Sequence, residues 1–251
     1  MKQPRHAAKN VRAAAQPHSE EVFALSKRRI RFSKQDMAKF ISHLDLLRCF
    51  TRAIGRSGLP AVFTQGFNPH MKMTFALPLP VGVTSDCESV DITFEDCITD
   101  CEILQKLNDN LPPDIRITSV GEPRDRAADI VCAEYSVVLK SDTPVSKTAI
   151  DAFFAMPEIT VMKKTKKKTE KPINIMDYIR AWEITDMCDD SVTLRLVLDA
   201  GGERNLKPDT LVSAFCKLNP DIVPENADIN RTEIFCRADG TGNEAVIKNF
   251  E

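Results

Sequence analysis

The chain has 251 residues, 43% of them hydrophobic and 28% charged, and a net charge of −2. This is ordinary globular composition, enough for one large or two small domains. It holds no apolar run of the roughly 20 residues that cross a bilayer, so a membrane-spanning role is not expected.

The first 26 residues, MKQPRHAAKNVRAAAQPHSEEVFALS, have no continuous apolar core of signal-peptide length and are expected to form a disordered tail. KRRIRFS (Lys27–Ser33) alternates Ile30 and Phe32 on one face with Arg29 and Arg31 on the other, a strand signal. In ISHLDLLRCFTRAIGRSG, Ser42 followed by Asp45 forms a capping box with Asp in place of Glu, so a helix starts near Ser42. It ends at Gly58, with Pro60 just beyond. AVFTQ reads as a second strand. QGFNPHMKMTFALPLPVG (Gln65–Gly82) then spends more Gly and Pro than a simple connection needs. Pro78 and Pro80 remove two backbone donors on the same side, which suits the edge of a sheet. The stretch reads as a rigid wall beside the start of the helix.

ESVDITFE is a strand, CEILQKLNDNLP a helix stopped by Pro112 and Pro113, and IRITSVGEP a strand. The second half repeats the order. AEYSVVLK, EITVMKK, PINIMDYI, AWEITDM, SVTLRLVLDA and ADINRTEIFCR carry strand signals, and SKTAIDAFFAMP and KPDTLVSAFCKLNP helix signals. The recurring β-α-β-β-α-β order is the ferredoxin-like pattern. The expected fold is α+β: two tandem ferredoxin-like (βαββαβ) units with antiparallel sheets. The first unit is placed at 27–126 and the second at 127–240, with a Lys-rich hairpin at 162–172 and a C-terminal tail at 241–251.

Eight Cys are scattered with no CxxC pair, the closest being Cys97 and Cys101. This fits reduced thiols in a cytoplasmic protein rather than disulfides or a metal site. The chain has no P-loop, GxGxxG, HExxH or CxxxCxxC motif and no recognisable nucleophile motif, so neither a metal nor another bound cofactor is expected.

The small net charge conceals segregation. Residues 27–75 carry ten Lys and Arg against two acids, whereas residues 76–161 carry six against sixteen. Residues 162–180 carry seven against two, and residues 181–251 seven against fourteen. Two basic islands in an acidic protein point to an anionic partner. On the first helix, at 100° per residue, Arg48, Arg52 and Arg56 form one stripe, while Leu46, Leu47, Phe50, Ala53 and Ile54 face the core. Phe67 and Phe75 offer stacking faces. Asn68 and Pro69 form a turn, after which His70 and Lys72 point the same way. A basic groove with aromatic faces suits single-stranded RNA. Lys163, Lys164, Lys166, Lys167 and Lys168 form a basic arm suited to a phosphate backbone. His43, on the core face of the helix, and His70 are the candidate acid/base residues of a metal-independent ribonuclease, the alternative to a binding module.

The run RIRFSKQDMAKFISHLDLLRCFTRAIGRSGLPAVFTQGFNPHMKMTFALPLPVGV resembles a radical-SAM-linked bacterial domain family of unknown function. FISHLDLLR and QGFNPHMKMTFALPLPVG carry the likeness, which continues through INIMDYI and LKPDTLVSAF to INRTEIF, roughly Arg29 to Arg237. Met71 stands where that family's pattern has Pro. The resemblance implies a cytoplasmic bacterial protein, a radical SAM partner with a B12-binding-type domain, and a substrate that leans toward tRNA or ribosomal RNA. It implies no catalytic residue. A protein-interaction subunit that touches no nucleic acid is the third alternative. The element order also resembles the tandem ferredoxin-like CRISPR RNA-processing proteins, at the level of fold alone.

Overall fold

The computed structural model describes residues 24–95, 98–164, 170–202, 204–222, 224–238 and 247–251. Most of the expected N-terminal tail, together with Cys97, Lys166, Lys167 and Lys168, lies outside the described residues.

The first half runs β1 (Leu25–Lys34), α1 (His43–Ser57), β2 (Met73–Phe75), β3 (Thr84–Glu95), α2 (Asp100–Asn110) and β4 (Ile115–Gly121). β1 pairs antiparallel with β3 and β4, and β2 pairs antiparallel with β3, giving the spatial order β4-β1-β3-β2. The second half runs β5 (Ile130–Ser141), α3 (Lys147–Phe154), the two-stranded hairpin β6 (Thr160–Lys164) and β7 (Glu170–Asn174), β8 (Ile179–Met187), β9 (Ser191–Asp199), α4 (Pro208–Leu218) and β10 (Pro224–Arg237). Its order, β10-β5-β9-β8, repeats that of the first half. Both halves follow the ferredoxin-like plan.

The two halves are fused. Asn230 and Arg231 of β10 pair in parallel with Thr84 and Ser85 of β3, so one nine-stranded sheet runs through the molecule. Side chains alternate along a strand, so Ile229 and Arg231 share a face. Ile229 lies in the core beneath α3 and α4. Arg231 meets Glu88, which shares a face with Val90 and Ile92 in the core beneath α1 and α2. The α-helices α1–α4 therefore cover one side of the sheet.

Local chemistry explains the helix that matters most. Ser42 caps α1: its hydroxyl accepts from the Asp45 N–H at 3.2 Å and donates to the Asp45 carboxylate at 2.7 Å. In the usual capping box a Glu reaches the N-cap backbone; the shorter Asp meets the hydroxyl instead. Gly58 ends the helix at φ 66, where a side chain would be strained. Leu46, Phe50, Ala53 and Ile54 bury against the sheet.

Three expectations need correction. AVFTQ is not a regular strand. Ala61 and Phe63 make only isolated bridges, to Phe94 and Met71. Pro78 and Pro80 do not lie in an edge strand. Residues 76–83 form a strap that crosses from one unit to the other: Leu77 and Leu79 pack against the second unit's core, and the Gly82 N–H, at φ 91, donates to Lys39 O at 2.8 Å. Finally, residues 247–251 are not a free tail. β11 (Ile247–Asn249) pairs with β10, and Phe250 is buried on the sheet face opposite the helices. Arg29, also on that face, lies 4.1 Å from the Phe250 ring centre. It donates to both Asp91 oxygens at 2.7 and 3.0 Å, to Asp125 O at 2.9 Å and to Glu251 O at 2.6 Å.

Under the strap lies a buried polar seam between the units. Lys34 and Arg231 are each 1% exposed and Glu88 is 3% exposed. Glu88 sits opposite Phe32 and Lys34 follows Phe32 by alternation, so both share the helix side, while a register shift sets Lys34 opposite Ser85. Arg231 donates to Glu88 and, at 2.7 Å, to Leu77 O.

Candidate nucleic-acid interface

Arg48, Arg52 and Arg56, four residues apart on α1, are all exposed. They line an open groove of about 680 Å³ with Asp45, Cys49 and the turn Asp109–Pro112 that ends α2. The helical period that buries Phe50 and Ile54 necessarily turns these arginines outward.

The three guanidinium groups have different duties. Arg48 reaches Asp45 at 2.9 Å. The Ser42 hydroxyl first, and Arg48 second, hold the Asp45 carboxyl below the ordinary range. Arg56 donates to Asn110 O, one of the last carbonyls of α2, where a cation also complements the helix dipole. Arg52 has no hydrogen-bond or ion-pair partner among the described residues. Burial pushes the Cys49 thiol up, against the opposing pull of Arg56 and Arg52, so it remains protonated at neutral pH.

The chain leaves α1 and enters a short hairpin. The Val62 N–H donates to Thr93 O, the Lys72 N–H to Val62 O and the Thr93 N–H to Lys72 O, at 2.9, 2.9 and 3.2 Å. Further out, the Thr64 N–H donates to His70 O at 2.8 Å, and the His70 N–H donates to Thr64 Oγ1 at 3.1 Å. Phe67, Asn68, His70 and Lys72 are all exposed. Phe75 belongs to a different environment. It packs with Phe32 and Phe50 in the core, at ring-centre distances of 6.2 and 5.7 Å. His43 is half-buried with its ring edge-on to Phe75 at 5.1 Å. His43 and His70 thus occupy separate surroundings, one on the core aromatics and one on the hairpin.

The Lys-rich arm is described only at its base. Lys163 donates to Asn205 O at 2.7 Å and lies 5.5 Å from the Tyr178 ring centre. Lys164 ends β6.

Sequence reasoning missed a second groove, about 560 Å³, on the opposite sheet face between Arg29, Arg31, Arg124, Glu122 and Glu251. Its cations are paired: Arg31 with Glu233 at 3.1 Å and Arg124 with Glu251 at 2.7 Å. No local pattern announces it, because both acids arrive from the far end of the chain.

Fold and grooves together define an α+β protein built from two fused ferredoxin-like units, with a basic groove along α1. Residues 27–208 match a family described as an uncharacterized protein conserved in bacteria (DUF2344), and the chain belongs to that family. No curated protein matches it. Among solved structures it is similar to a chain of the "Crystal Structure of a Cbf5-Nop10-Gar1 Complex", at 10% identity and a TM-score of 0.48, covering 82% of this chain and 48% of that one. It is also similar to a chain of the "Crystal structure of the archaeal box H/ACA sRNP Nop10-Cbf5 complex", at 12% identity and a TM-score of 0.43, covering 81% and 46%. The chain spans about half the length of each. At TM-scores below 0.5 neither likeness carries an argument about function.

Proposed function

We propose that this protein is an RNA-binding module whose phosphate-contacting element is the groove of α1. The observation that supports this best is Arg52, an exposed guanidinium with no partner among the described residues, set between Arg48 and Arg56 in an open groove. An unpaired cation in such a groove gains more from a phosphate than one already neutralised, because binding releases counterions without first breaking an ion pair. Arg also presents a planar fork that matches phosphate oxygens. The Lys-rich run of the second unit, Lys163, Lys164 and the lysines at 166–168, is a further candidate for phosphate contact, with the units divided near residue 126. The resemblance carried by FISHLDLLR and QGFNPHMKMTFALPLPVG supports a division of labour, in which the module presents tRNA or ribosomal RNA to a separate radical SAM protein with a B12-binding-type domain.

The test is RNA binding by wild type and by an Arg48→Glu/Arg52→Glu variant across a series of salt concentrations. Wild type is expected to lose affinity steeply with salt, and the variant to bind more weakly with a slope shallower by about 2. Equal affinities and slopes for the two proteins would overturn the reading.

A further inference from the structure

We propose that the hairpin formed by residues 61–72 is a stacking arm, and that Phe67 at its tip packs against the face of an unpaired RNA base. This rests on the RNA reading above and specifies what kind of RNA the site takes.

Three observations lead there. The first is that Phe67 is 112% exposed, more open than an ordinary extended residue, with Phe63 below it on the same hairpin at 48%. The second is that the loop holding it out is braced. Two tiers of backbone hydrogen bonds, at Val62–Lys72 and at Thr64–His70, close the hairpin beneath the tip. The Thr64 hydroxyl oxygen accepts from the His70 N–H and lies 3.1 Å from His70 Nδ1. Gly66 sits at φ 126, open only to glycine without strain, and Pro69 keeps Asn68 out of the helical region. A backbone so braced does not have to be ordered again when a ligand covers its tip.

The third observation is electrostatic. No Asp or Glu occurs between Asp45 and Asp86, while Arg48, Arg52, Arg56 and Lys72 all do. The hairpin itself therefore carries no acid, and exposed His70 and Lys72 lie on the strand that returns from Phe67. The arm follows α1 directly in the chain, beginning five residues after Arg56. An exposed aromatic face on the element that follows a basic groove fits a nucleic-acid strand, whose base supplies the stacking surface and whose phosphates supply the charge. A base locked in a duplex offers no free face, so the arm selects single-stranded or looped RNA.

Phe67→Trp turns the tip into its own reporter. The chain's one Trp is Trp182, so the unsubstituted protein gives the background emission. Three probes are titrated: a single-stranded RNA of mixed sequence, its perfect duplex, and an abasic oligomer of the same length and charge. The single strand is expected to quench the indole introduced by Phe67→Trp, whereas the abasic oligomer binds through the α1 arginines without quenching. A Phe67→Ala variant is expected to bind the single strand about tenfold more weakly while keeping its affinity for the abasic oligomer. Single-strand binding that leaves the emission of Phe67→Trp unchanged, or wild-type affinity of Phe67→Ala for both oligomers, would overturn the arm and leave the α1 groove standing. Failure of wild type to bind any of the three would overturn the RNA reading and the arm together.

Discussion

Arg231 at the junction of the two units and Arg52 on the outer face of α1 carry the same charge in opposite surroundings. Arg231 is 1% exposed and clamps Glu88 and Leu77 O; Arg52 is exposed and has no partner among the described residues. The first is a fastening between units, the second a charge left for something else. The same division runs through the basic island of residues 27–75. Lys27 and Arg29 meet Asp91, Arg28 meets Asp100, Arg31 meets Glu233 and Lys39 meets Asp228, at separations from 2.7 to 3.5 Å. Acids from the acidic segments thus meet the cations at the start of the island, whereas on α1 Arg52 keeps no hydrogen-bond or ion-pair partner among the described residues. The charge of a segment in sequence is not the charge of a surface, because β-pairing brings distant segments together.

The sharpest way to break this comparison is to delete the buried cation. Arg231→Ala leaves Glu88 in a buried seam without its guanidinium, and loss of one partner of a buried pair costs about 3–5 kcal/mol. Urea unfolding should show that loss, with much of it recovered in Arg231→Met/Glu88→Leu, which removes both charges and keeps the volume. A cost below about 1 kcal/mol for Arg231→Ala would mean that the seam is not a fastening.

Lys34 sharpens the same point with a smaller effect. Its ammonium, 1% exposed, has a single long hydrogen bond, 3.5 Å to Ile41 O. Burial pushes its pKa down; Glu88 opposes this and Arg231 reinforces it. A lysine whose folded pKa lies below its unfolded value of 10.5 binds its proton less tightly when folded. Charged Lys34 therefore costs stability at neutral pH, and the cost fades as pH rises through the folded pKa. Lys34→Met is expected to stabilise the protein by about 1–2 kcal/mol at neutral pH, with the gain shrinking as the pH is raised through the folded pKa. A destabilised variant would show instead that Glu88 needs both cations.

Much of this architecture was legible in the sequence because it is local. Period-two alternation in Ile30/Phe32 and Val90/Ile92/Phe94, and caps at Ser42 and Gly58, mark β1, β3 and α1 before any tertiary contact exists. The arginine stripe was legible for the same reason, being set by helical geometry alone. What was not legible depends on partners far away in the chain. The strap over residues 76–83 looks like an edge strand until Arg231, from the far end of the chain, arrives to bind Leu77 O. Phe67 and Phe75 look alike in sequence, yet the hairpin bracing sends one into water and the β2–β3 pairing sends the other into the core beside His43. The seam of Lys34, Glu88 and Arg231 escapes notice because each residue reads as an ordinary surface charge in its own strand.

The smallest expected effect on stability completes the comparison. Arg52→Glu reverses a charge with no hydrogen-bond or ion-pair partner among the described residues, and surface substitutions of that kind fall within about 0.5 kcal/mol of wild type. Its urea midpoint should therefore be unchanged within error, even though the same substitution contributes to weaker, less salt-sensitive RNA binding. Arg56→Ala separates the two duties further. It removes the guanidinium that caps the last carbonyls of α2 at Asn110, so a measurable loss of stability is expected there, on the order of 0.5–1 kcal/mol. If Arg52→Glu proved as destabilising as Arg56→Ala, the unpaired cation of the groove would itself be a structural group, and the distinction between fastening and free charge on α1 would fail.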